Sequence, residues 1–296
     1  MLSNNGNKLA LHFSHPPRKV VSLVPSLTES LFDLGFGSSV IGITDYCVHP
    51  AKALQSLPRL GGPKNPNLDQ IRDLKPDLIL LNQEENPRAV IEALQADGLP
   101  IWVTFPRTVR EALDILWTLA GVYQSPTAAA RIETIERAVK WNLASIEENR
   151  STRYFCPIWQ DSDGVGTQWW MTFNQNTYAA DVLKVFGGEN VFADRRRRYP
   201  LAADLGKADE QDPGEADTRY PRVVLDEIRI AAPEIILLPD EPFVFGEIHR
   251  SEICMLLGET PAVKNGRVHL LDGSMITWHG TRLARAVQEL PALFIC

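Results

Sequence analysis

Aromatic side chains follow several apolar, strand-like runs of this sequence. In open α/β sheets, ligands bind beside the carboxyl ends of the strands, so residues in these segments are candidates for ligand contacts. Seven aromatic residues share this position: Tyr46, Trp159, Trp169, Trp170, Phe243, Phe245 and Trp278. Stacking and burial of apolar area would let them hold a large, planar, partly apolar ligand with few polar contacts. The alternative for each ring is ordinary packing in a core.

Known catalytic motifs are missing from the sequence. It contains no GxSxG elbow, P-loop or HExxH motif, and no GxGxxG motif between a strand and a helix. Its six histidines do not form a spaced ligand set, and Cys47 with His49 supplies two of the four ligands of a structural metal site. We therefore predict no catalytic residue, no bound metal and no enzyme activity. The alternative is a chelatase-like enzyme of tetrapyrrole or metal-cluster metabolism, which requires His279 and Glu84 to converge.

A fourteen-residue segment occurs twice, as LDQIRDLKPDLILL from Leu68 and as LDEIRIAAPEIILL from Leu225. Each copy begins with the periodicity of an amphipathic helix, reaches a proline that ends the helix, and continues as an aliphatic run typical of a buried parallel strand. The segments TESLFDLG and AADVLKVFGG repeat at nearly the same offset. The duplication predicts two similar lobes.

Two acidic residues, Asp69 and Asp226, occupy the second position of the repeated segment. A carboxylate near a helix N-terminus is stabilised by the helix dipole by about 0.3–1 kcal/mol, which is a sufficient structural explanation. The functional alternative is docking, in which one exposed acid on each lobe contacts a basic socket on a two-fold symmetric partner. The spacing of the two residues does not decide between these explanations.

The segment between the two copies is predicted to form one long helix. Ser125 is a suitable N-cap, Pro126 fits the first helical position, and apolar residues recur at steps of three and four between Ile132 and Ile146. On either side, strand patterns alternate with helix patterns, which predicts parallel sheets. We therefore divide the chain into an N-terminal α/β lobe at residues 18–124, a connecting backbone helix at 125–151 and a C-terminal α/β lobe at 152–296.

Composition and charge exclude several classes of protein. The 296 residues carry 30 Lys and Arg against 37 Asp and Glu, a formal charge of −7, which argues against nucleic acid as a partner. The polar segment 194–222, which contains four consecutive arginines at 195–198, is interpreted as a solvated surface excursion. No run of about 18 apolar residues exists, so we expect no membrane span. The four cysteines are scattered, so we expect neither a zinc site nor a disulfide framework.

Four segments carry a resemblance to a known family: RKVVSLVPSLTESLFDLG, VIGITDYCVHP, GGPKNPNLDQIRDLKPDLILL and WHGTRLARAVQELP. They resemble the helical-backbone periplasmic binding proteins (class III) that serve ABC importers of vitamin B12 and iron chelates, and they are most similar to the cobalamin-binding branch. The resemblance covers residues 18–291. It implies two Rossmann-like lobes joined by a single long α-helix, a chelatase-like architecture, with a ligand held between the lobes and little closure on binding.

The resemblance also implies which residues bind. A cobalamin-type site maps onto Tyr46, Gln83 and Glu84, Trp159, and the loop that contains Phe243 and Phe245. The acids by which the family docks on its permease map onto Asp69 and Asp226, which are Asp here where Glu is usual. The implied ligand is a metal chelate, with cobalamin or another corrinoid first and a ferric siderophore or haem next. Arginines at 195–198 lining the pocket would favour an anionic siderophore.

The resemblance implies a monomeric, non-catalytic receptor in the periplasm or at the cell surface, with the membrane permease of an ABC importer as partner. The first residues lack the basic and apolar regions of a secretory signal, so a cytoplasmic protein that handles a corrinoid or tetrapyrrole is the alternative. A third possibility is a binding module for a protein, which an exposed apolar patch would indicate.

Overall fold

The computed structural model of the chain describes residues 13–146 and 151–294. These residues divide into two units, and the second crossing of the chain between them falls near its C-terminal end. Unit 1 contains residues 13–139 and 278–286, and unit 2 contains residues 140–146, 151–277 and 287–294. The segment 278–286 therefore belongs to unit 1, although it lies more than a hundred residues away in sequence.

Unit 1 is built on a four-stranded parallel sheet with the strand order β2-β1-β5-β6. The strands of unit 1 are β1 Val20–Ser22, β2 Val40–Ile43, β3 Gly61–Gly62, β4 Asn65–Pro66, β5 Leu78–Asn82 and β6 Ile101–Thr104. Strands β3 and β4 form a separate two-stranded hairpin. The helices of unit 1 are α1 Pro25–Asp33, α2 Leu68–Leu74, α3 Arg88–Ala96 and α4 Val109–Val122. All five residues of β5 are buried because helices cover both faces of a parallel sheet, which explains the unbroken aliphatic run in its sequence.

Unit 2 repeats this plan with a four-stranded parallel sheet in the order β10-β7-β12-β13. The strands of unit 2 are β7 Thr152–Phe155, β8 Trp159–Ser162, β9 Gln168–Met171, β10 Gly188–Asn190, β11 Arg222–Val224, β12 Ile235–Pro239 and β13 Val268–Leu271, of which β8, β9 and β11 lie outside the parallel sheet. The helices of unit 2 are α6 Tyr178–Val185, α7 Leu201–Asp204, α8 Leu225–Ala231, α9 Glu247–Leu256, α10 Pro261–Lys264, α11 Ser274–Thr277 and α13 Pro291–Phe294, and α12 Leu283–Glu289 crosses between the units.

The duplicated segment forms the same structure in both units. In each it gives a seven-residue helix, α2 or α8, followed by a fully buried strand, β5 or β12. Both helices end on a residue in the left-handed conformation, Lys75 with φ 49° and Ala232 with φ 46°. The strand lies beside the first strand of its own sheet, β1 or β7. The expectation of two Rossmann-like α/β lobes with parallel sheets is confirmed.

The predicted long helix is α5, Pro126–Ile146. The Ser125 hydroxyl accepts a hydrogen bond from the Ala128 N–H at 3.2 Å, as expected of an N-cap. Its 21 residues correspond to about 32 Å at 1.5 Å per residue. The apolar stripe is buried as far as Val139, whereas Leu143 is exposed. Residues 147–150 lie outside the described part of the chain, and the three-part division at 124/125 and 151/152 stays a prediction.

Unit 2 also contains a three-stranded antiparallel sheet, β11-β9-β8, that the sequence did not indicate. One face of it packs in the core, where Trp170 and Val223 are paired across neighbouring strands. The segment 194–222, which we expected to be a solvated excursion, supplies β11 and the short helix α7. It is tied to the unit by Asp204, which is fully buried. The solvated interpretation is therefore wrong for residues 203–205, whereas residues 206–212 and 214–217 are exposed as expected.

Candidate ligand-binding site

The carboxyl edge of the unit 1 sheet is formed by the loops that follow β1, β2, β5 and β6. Tyr46 lies in the turn after β2 and is 65% exposed. A backbone hydrogen bond of 3.0 Å from Asp45 to Gly61 holds this turn against β3, and a Cβ placed on Gly62 would lie 3.5 Å from Tyr46 Cε2. The tyrosine ring therefore lies beside β3, while the close approach that favours glycine at position 62 is to Asn65 Oδ1, 2.8 Å from such a Cβ.

The loop after β5 carries Gln83 and Glu84 and is held by buried amides. Asn86 Nδ2 donates to the carbonyl oxygens of Leu23 at 3.2 Å and Pro63 at 3.0 Å, while its Oδ1 accepts from the Asn82 N–H at 2.7 Å. Asn82 Oδ1 accepts from the Glu84 N–H at 2.8 Å. Because every bond involves the backbone, the loop has one defined path, on which Gln83 is exposed and Glu84 half-buried.

Trp278 joins unit 1 through the segment 278–286. Its ring lies edge-on to His49, with centroids 5.8 Å apart, and the Arg282 guanidinium lies 5.0 Å from its centroid. Arg282 is held in place by a two-bond ion pair with Glu29 of α1, at 2.9 and 2.7 Å. Burial raises the pKa of Glu29 despite this pairing, because desolvation outweighs the attraction of Arg282. Trp278 thereby lies beside His49, which is in the same loop after β2 as Tyr46.

The carboxyl edge of the unit 2 sheet carries a cluster of rings after β7 and β12. Trp159 is 40% exposed, and its ring lies edge-on to Phe243 with centroids 5.5 Å apart. Phe243 in turn contacts Phe245 at 4.7 Å and His249 at 5.2 Å. Phe245 is buried, and the His249 Nδ1 accepts from the Gly246 N–H at 3.1 Å. Phe245 and His249 therefore support a partly exposed aromatic surface made by Trp159 and Phe243.

Trp169 and Trp170 lie inside unit 2. Trp170 is 1% exposed and donates from Nε1 to Gln160 Oε1 at 3.2 Å, and it belongs to the core. Trp169 is 6% exposed, and the Arg222 guanidinium lies 5.8 Å from its ring centroid. Their predicted contact with a ligand stays a prediction, while their packing within the unit is evident. The exposed rings Tyr46 and Trp159 are the better placed candidates in their respective units.

The candidate docking acids have matching environments. Asp69 has an 89% exposed side chain and pairs with Arg72 at 2.6 Å, and Asp226 has an 81% exposed side chain and pairs with Arg229 at 3.2 Å. Each pair joins positions i and i+3 of its helix. Exposed pairs of this kind contribute little to stability, about 0.2–0.5 kcal/mol, so the carboxylates are accessible to another partner.

The candidates for catalysis and metal binding have ordinary packing environments. His279 is buried beside the Ser26 hydroxyl, 3.5 Å from its Nδ1, and burial lowers the pKa of His279 to about 4, so the ring is neutral near pH 7. The Cys47 thiol lies 3.1 Å from the Thr28 hydroxyl and 3.2 Å from that of Thr44, and burial raises its pKa. Within residues 13–146 and 151–294, no group of three or more His, Cys, Asp and Glu side chains could hold a metal ion.

A cavity of about 620 Å³ lies at the opposite, amino-terminal edge of the unit 2 sheet. Its lining includes Thr152, Gly187, Glu234, Arg267 and Phe294. The Glu234 carboxylate accepts from the Arg153 N–H at 2.9 Å, and Arg267 donates to the Leu293 carbonyl oxygen at 2.8 Å. These polar groups are engaged with the backbone, and the aromatic residues singled out in the sequence lie at the other edge of the sheet.

Sequence reasoning missed three residues that position the aromatic surfaces: His49, His249 and Arg282. His49 is three residues after Tyr46, and Arg282 is four residues after Trp278, so proximity to a candidate ring was the signal available for both. His249 lies on α9, and its contact with Phe243 depends on how that helix packs. Among the helices described, none is both long and apolar enough to cross a membrane.

Comparison with known proteins agrees with this fold. The family described as periplasmic binding protein matches residues 20–275. The vitamin B12-binding protein of Vibrio cholerae serotype O1 is 23% identical over 276 residues, which cover 93% of this chain and 88% of that protein. The crystal structure of the periplasmic vitamin B12-binding protein BtuF of Vibrio cholerae superposes with a TM-score of 0.73 at 22% identity, covering 94% of this chain and 97% of that one.

A second solved structure with a similar fold is that of a protein named for a different ligand. The periplasmic heme-binding protein RhuT from Roseiflexus sp. RS-1 has a TM-score of 0.68 at 19% identity and covers 94% of this chain and 97% of its own. At these identities the likeness concerns the fold. Because the family match spans most of the sequence and the two parallel-sheet units have the fold of solved members, this chain belongs to the periplasmic binding protein family.

Proposed function

We propose that this protein is the substrate-binding protein of an ABC-type importer and that it binds a metal chelate without transforming it. The observation that carries the proposal is the exposed aromatic ring at the carboxyl edge of each parallel sheet, Tyr46 in unit 1 and Trp159 in unit 2. These edges are where open α/β sheets bind ligands. The aromatic carboxyl edge of each unit is a candidate ligand surface, and no covalent chemistry is required of the protein.

The binding energy comes mainly from burial of the rings. A large aromatic side chain that becomes fully buried contributes about 1.5–3 kcal/mol, and offset stacking adds about 0.5–1.5 kcal/mol. Tyr46 with Trp278 and Trp159 with Phe243 supply two such surfaces. Gln83, on its rigid loop, supplies a polar side chain that can hydrogen-bond an amide or carboxylate of the ligand. This combination suits a large planar ligand with polar groups at its rim.

Cobalamin or another corrinoid is the first candidate ligand, and a ferric siderophore or haem is the next. The names of the relatives support this order, since the protein from Vibrio cholerae is a vitamin B12-binding protein. The solved structure from Roseiflexus, a heme-binding protein, supports haem as the second choice. The family and its relatives also support a periplasmic or cell-surface location and a binding role in place of an enzymatic one.

Asp69 and Asp226 are proposed to dock on the permease of the importer. Both carboxylates are exposed and lie at equivalent positions of the two units. In a transport assay with the cognate permease, Asp69→Ala and Asp226→Ala should lower uptake by tenfold or more while chelate affinity stays unchanged. Asp73→Ala, an exposed acid on the same helix as Asp69, is the matched control. Full uptake by the Asp69→Ala, Asp226→Ala double variant would refute the docking role.

Chelate binding is tested by titrating the protein with cyanocobalamin, haem and a ferric siderophore while tryptophan fluorescence is recorded. We expect saturable quenching with one of the three, and Trp159→Ala and Tyr46→Ala should each weaken the affinity by tenfold or more. Trp141→Phe is the control, because Trp141 is an exposed ring on α5 and does not belong to a loop that follows a strand of either parallel sheet. If none of the three chelates quenches the fluorescence, the proposed function is wrong.

A further inference from the structure

An arginine cluster lies in unit 2 around one buried carboxylate. We use this name for Arg195, Arg198 and Arg222, which contact Asp204, together with Arg197, whose charge acts on Arg222. The Asp204 carboxylate accepts from Arg195 Nη1 at 3.0 Å, from the Arg198 N–H at 3.0 Å and from the Arg222 N–H at 2.8 Å. Its carbonyl oxygen accepts from Arg195 Nη2 at 2.7 Å and from Arg198 Nη2 at 3.1 Å. Asp204 is thus occupied mainly by Arg195 and by the backbone.

The cluster contains more cationic donors than acceptors. Arg195 is matched by Asp204 and by Glu227, each at 3.0 Å. The Arg222 guanidinium is 3.9 Å from the Asp204 carboxylate, beyond hydrogen-bond distance. Among the described residues, the Nε–H groups of Arg197, Arg198 and Arg222 are buried without a hydrogen-bond acceptor. Arg222 thus has a long ion pair with Asp204, Arg198 donates to the Asp204 carbonyl oxygen, and the charge of Arg197 acts on Asp217. Among the described residues, the guanidinium groups of the cluster still outnumber the carboxylates beside them.

Burying guanidinium groups close to one another lowers the stability of the fold unless an anion neutralises their charge. A charge taken out of water without a partner is penalised by several kcal/mol, and guanidinium groups near one another repel. The side chain of Arg222 is only 14% exposed. Burial, together with the neighbouring charge of Arg197, lowers the pKa of Arg222. The protonated form of Arg222 is therefore disfavoured by its surroundings. An oxyanion would supply the missing acceptors and the missing charge.

The cluster lies beside the aromatic surface proposed to bind the ligand. In the antiparallel sheet, Arg222 of β11 is paired with Met171 of β9, and Met171 is paired with Trp159 of β8. Directly paired residues of neighbouring strands project from the same face of a sheet. Two strand spacings place the Cα atoms of Arg222 and Trp159 about 10 Å apart. Arg222 and Trp159 therefore face the same side of the sheet at a separation that one chelate can span.

Trp169 adds a further donor on this face. It lies two residues before Met171 on β9, so its side chain projects to the same side of the sheet. Its buried Nε1–H also has no acceptor among the described residues. The face thus combines an exposed ring at Trp159 with two donors that the described residues leave unmatched, on Trp169 and Arg222.

We propose that the arginine cluster is an anion subsite, which binds a carboxylate or phosphate group of the ligand whose apolar part contacts Trp159. This inference rests on the proposed function, because it assumes a chelate at Trp159. The guanidinium groups of Arg197, Arg198 and Arg222 bind the oxygens of the anion by charge-assisted hydrogen bonds, which favour planar two-bond contacts. The subsite selects chelates that carry an acidic group at their rim over neutral ones.

Two pairs of ligands test this charge preference. Haem carries two carboxylates that its dimethyl ester lacks, whereas cyanocobalamin differs from cobinamide by a whole nucleotide loop, which contains a phosphodiester, so only the first pair differs in acidic groups alone. We expect the anionic member of one pair to bind at least tenfold more tightly, which is about 1.4 kcal/mol. A preference in the first pair identifies a carboxylate as the recognised group. A preference in the second pair identifies a phosphate only where Arg222→Gln removes it, because the nucleotide loop also carries a sugar and an aromatic base.

Substitutions in the arginine cluster test whether it causes the preference for anionic ligands. Arg222→Gln and Arg197→Gln should each remove most of the tenfold preference and leave the affinity for the neutral member within about twofold. Arg197→Gln guards against misfolding, since the contacts described for the Arg197 side chain are its stacking on Tyr199 at 4.3 Å and the charge of Asp217, with no close ion pair among the described residues. Arg196→Gln is the matched control, because this exposed arginine of the same run lies outside the cluster and should keep the preference.

A simple anion separates failure of this inference from failure of the proposed function. Inorganic pyrophosphate, compared with chloride at equal ionic strength, should raise the Tm of the wild-type protein by about 2 °C or more and have less effect on Arg222→Gln. Chelate binding with equal affinity within both pairs would refute the anion subsite and leave the receptor role standing. Stabilisation by pyrophosphate without any chelate binding would support the subsite and refute the receptor role. No response to either would refute both.

Discussion

Asp77 and Glu234 have the same structural role in the two units. The Asp77 carboxylate accepts the backbone N–H groups of Arg18 and Lys19 at 2.8 and 3.0 Å, just before β1. The Glu234 carboxylate accepts the N–H of Arg153 at 2.9 Å, within β7. In each unit the acid follows the proline of the repeated segment and ties the start of one parallel strand to its neighbour. The hydrogen bond from a strand backbone to a carboxylate is thus present in both units, although the acid is Asp in unit 1 and Glu in unit 2.

Asp77→Ala should lower the free energy of unfolding by about 1–3 kcal/mol, because two backbone donors near the start of β1 lose their acceptor. Glu234→Ala should act in the same direction in unit 2. Chemical denaturation followed by circular dichroism measures both. Asp73→Ala, at an exposed position of α2, is the control and should change stability by no more than about 0.5 kcal/mol. If Asp77→Ala is as stable as this control, the carboxylate does not contribute to strand pairing.

The sequence predicted the parallel sheets because their signal is local. The strand β12 is a run of five buried residues and α8 has apolar residues at helical spacing, so each element could be assigned from its own residues. The repeat at Leu68 and Leu225 then supplied the long-range information, namely that there are two units of one kind. The exposed rings Tyr46 and Trp159 followed from the same rule, since both come directly after predicted strands.

The antiparallel sheet of unit 2 could not be predicted in this way. The strand β8 has the sequence WQDS and lies at the edge of the sheet with mostly exposed side chains, so it lacks an apolar pattern. For the same reason the sequence could not distinguish Trp170, which faces the core, from Trp159. The arginine cluster depends on Asp204, whose partners are six to eighteen residues away in sequence and are set by packing.

Asp204→Asn should destabilise the protein by about 3–5 kcal/mol, because it leaves the buried guanidinium of Arg195 with one ion pair fewer in a cluster already rich in cations. The free energy of unfolding from urea denaturation checks this. Asp209→Asn is the control, at an exposed position of the same segment, and should be close to neutral. A loss below about 1 kcal/mol for Asp204→Asn would mean that the segment 194–222 is held by other contacts.

Lys75→Gly should stabilise the protein by about 0.5–1 kcal/mol, since Lys75 ends α2 in the left-handed region with φ 49°, where a Cβ is strained. The gain is limited because glycine also has more freedom in the unfolded chain. Ala232→Gly, at the equivalent position of α8 with φ 46°, should give a similar gain. Thermal unfolding measures both variants.

Ala89→Gly provides the opposite control for these two variants. Ala89 is an exposed residue in the first turn of α3, where glycine should destabilise the helix by less than the about 1 kcal/mol that it costs in a helix interior. Destabilisation by Lys75→Gly of the size seen for Ala89→Gly would show that the left-handed conformation at residue 75 is not strained.

Stability should fall as the pH is lowered from about 6.5 to about 4, because the unfolded chain takes up a proton at His279 that the buried ring of the folded protein does not. Burial lowers its pKa in the folded protein to about 4, against about 6.5 in the unfolded chain, so the unfolded state binds more protons in this window. The contribution is complete above pH 6.5, and roughly 3 kcal/mol of it is lost by pH 4. His279→Gln, which cannot titrate, should show a shallower dependence of the unfolding free energy on pH between 6.5 and 4. Urea denaturation at several pH values measures it, and parallel curves for the variant and the wild-type protein would show that His279 is not the group that senses pH.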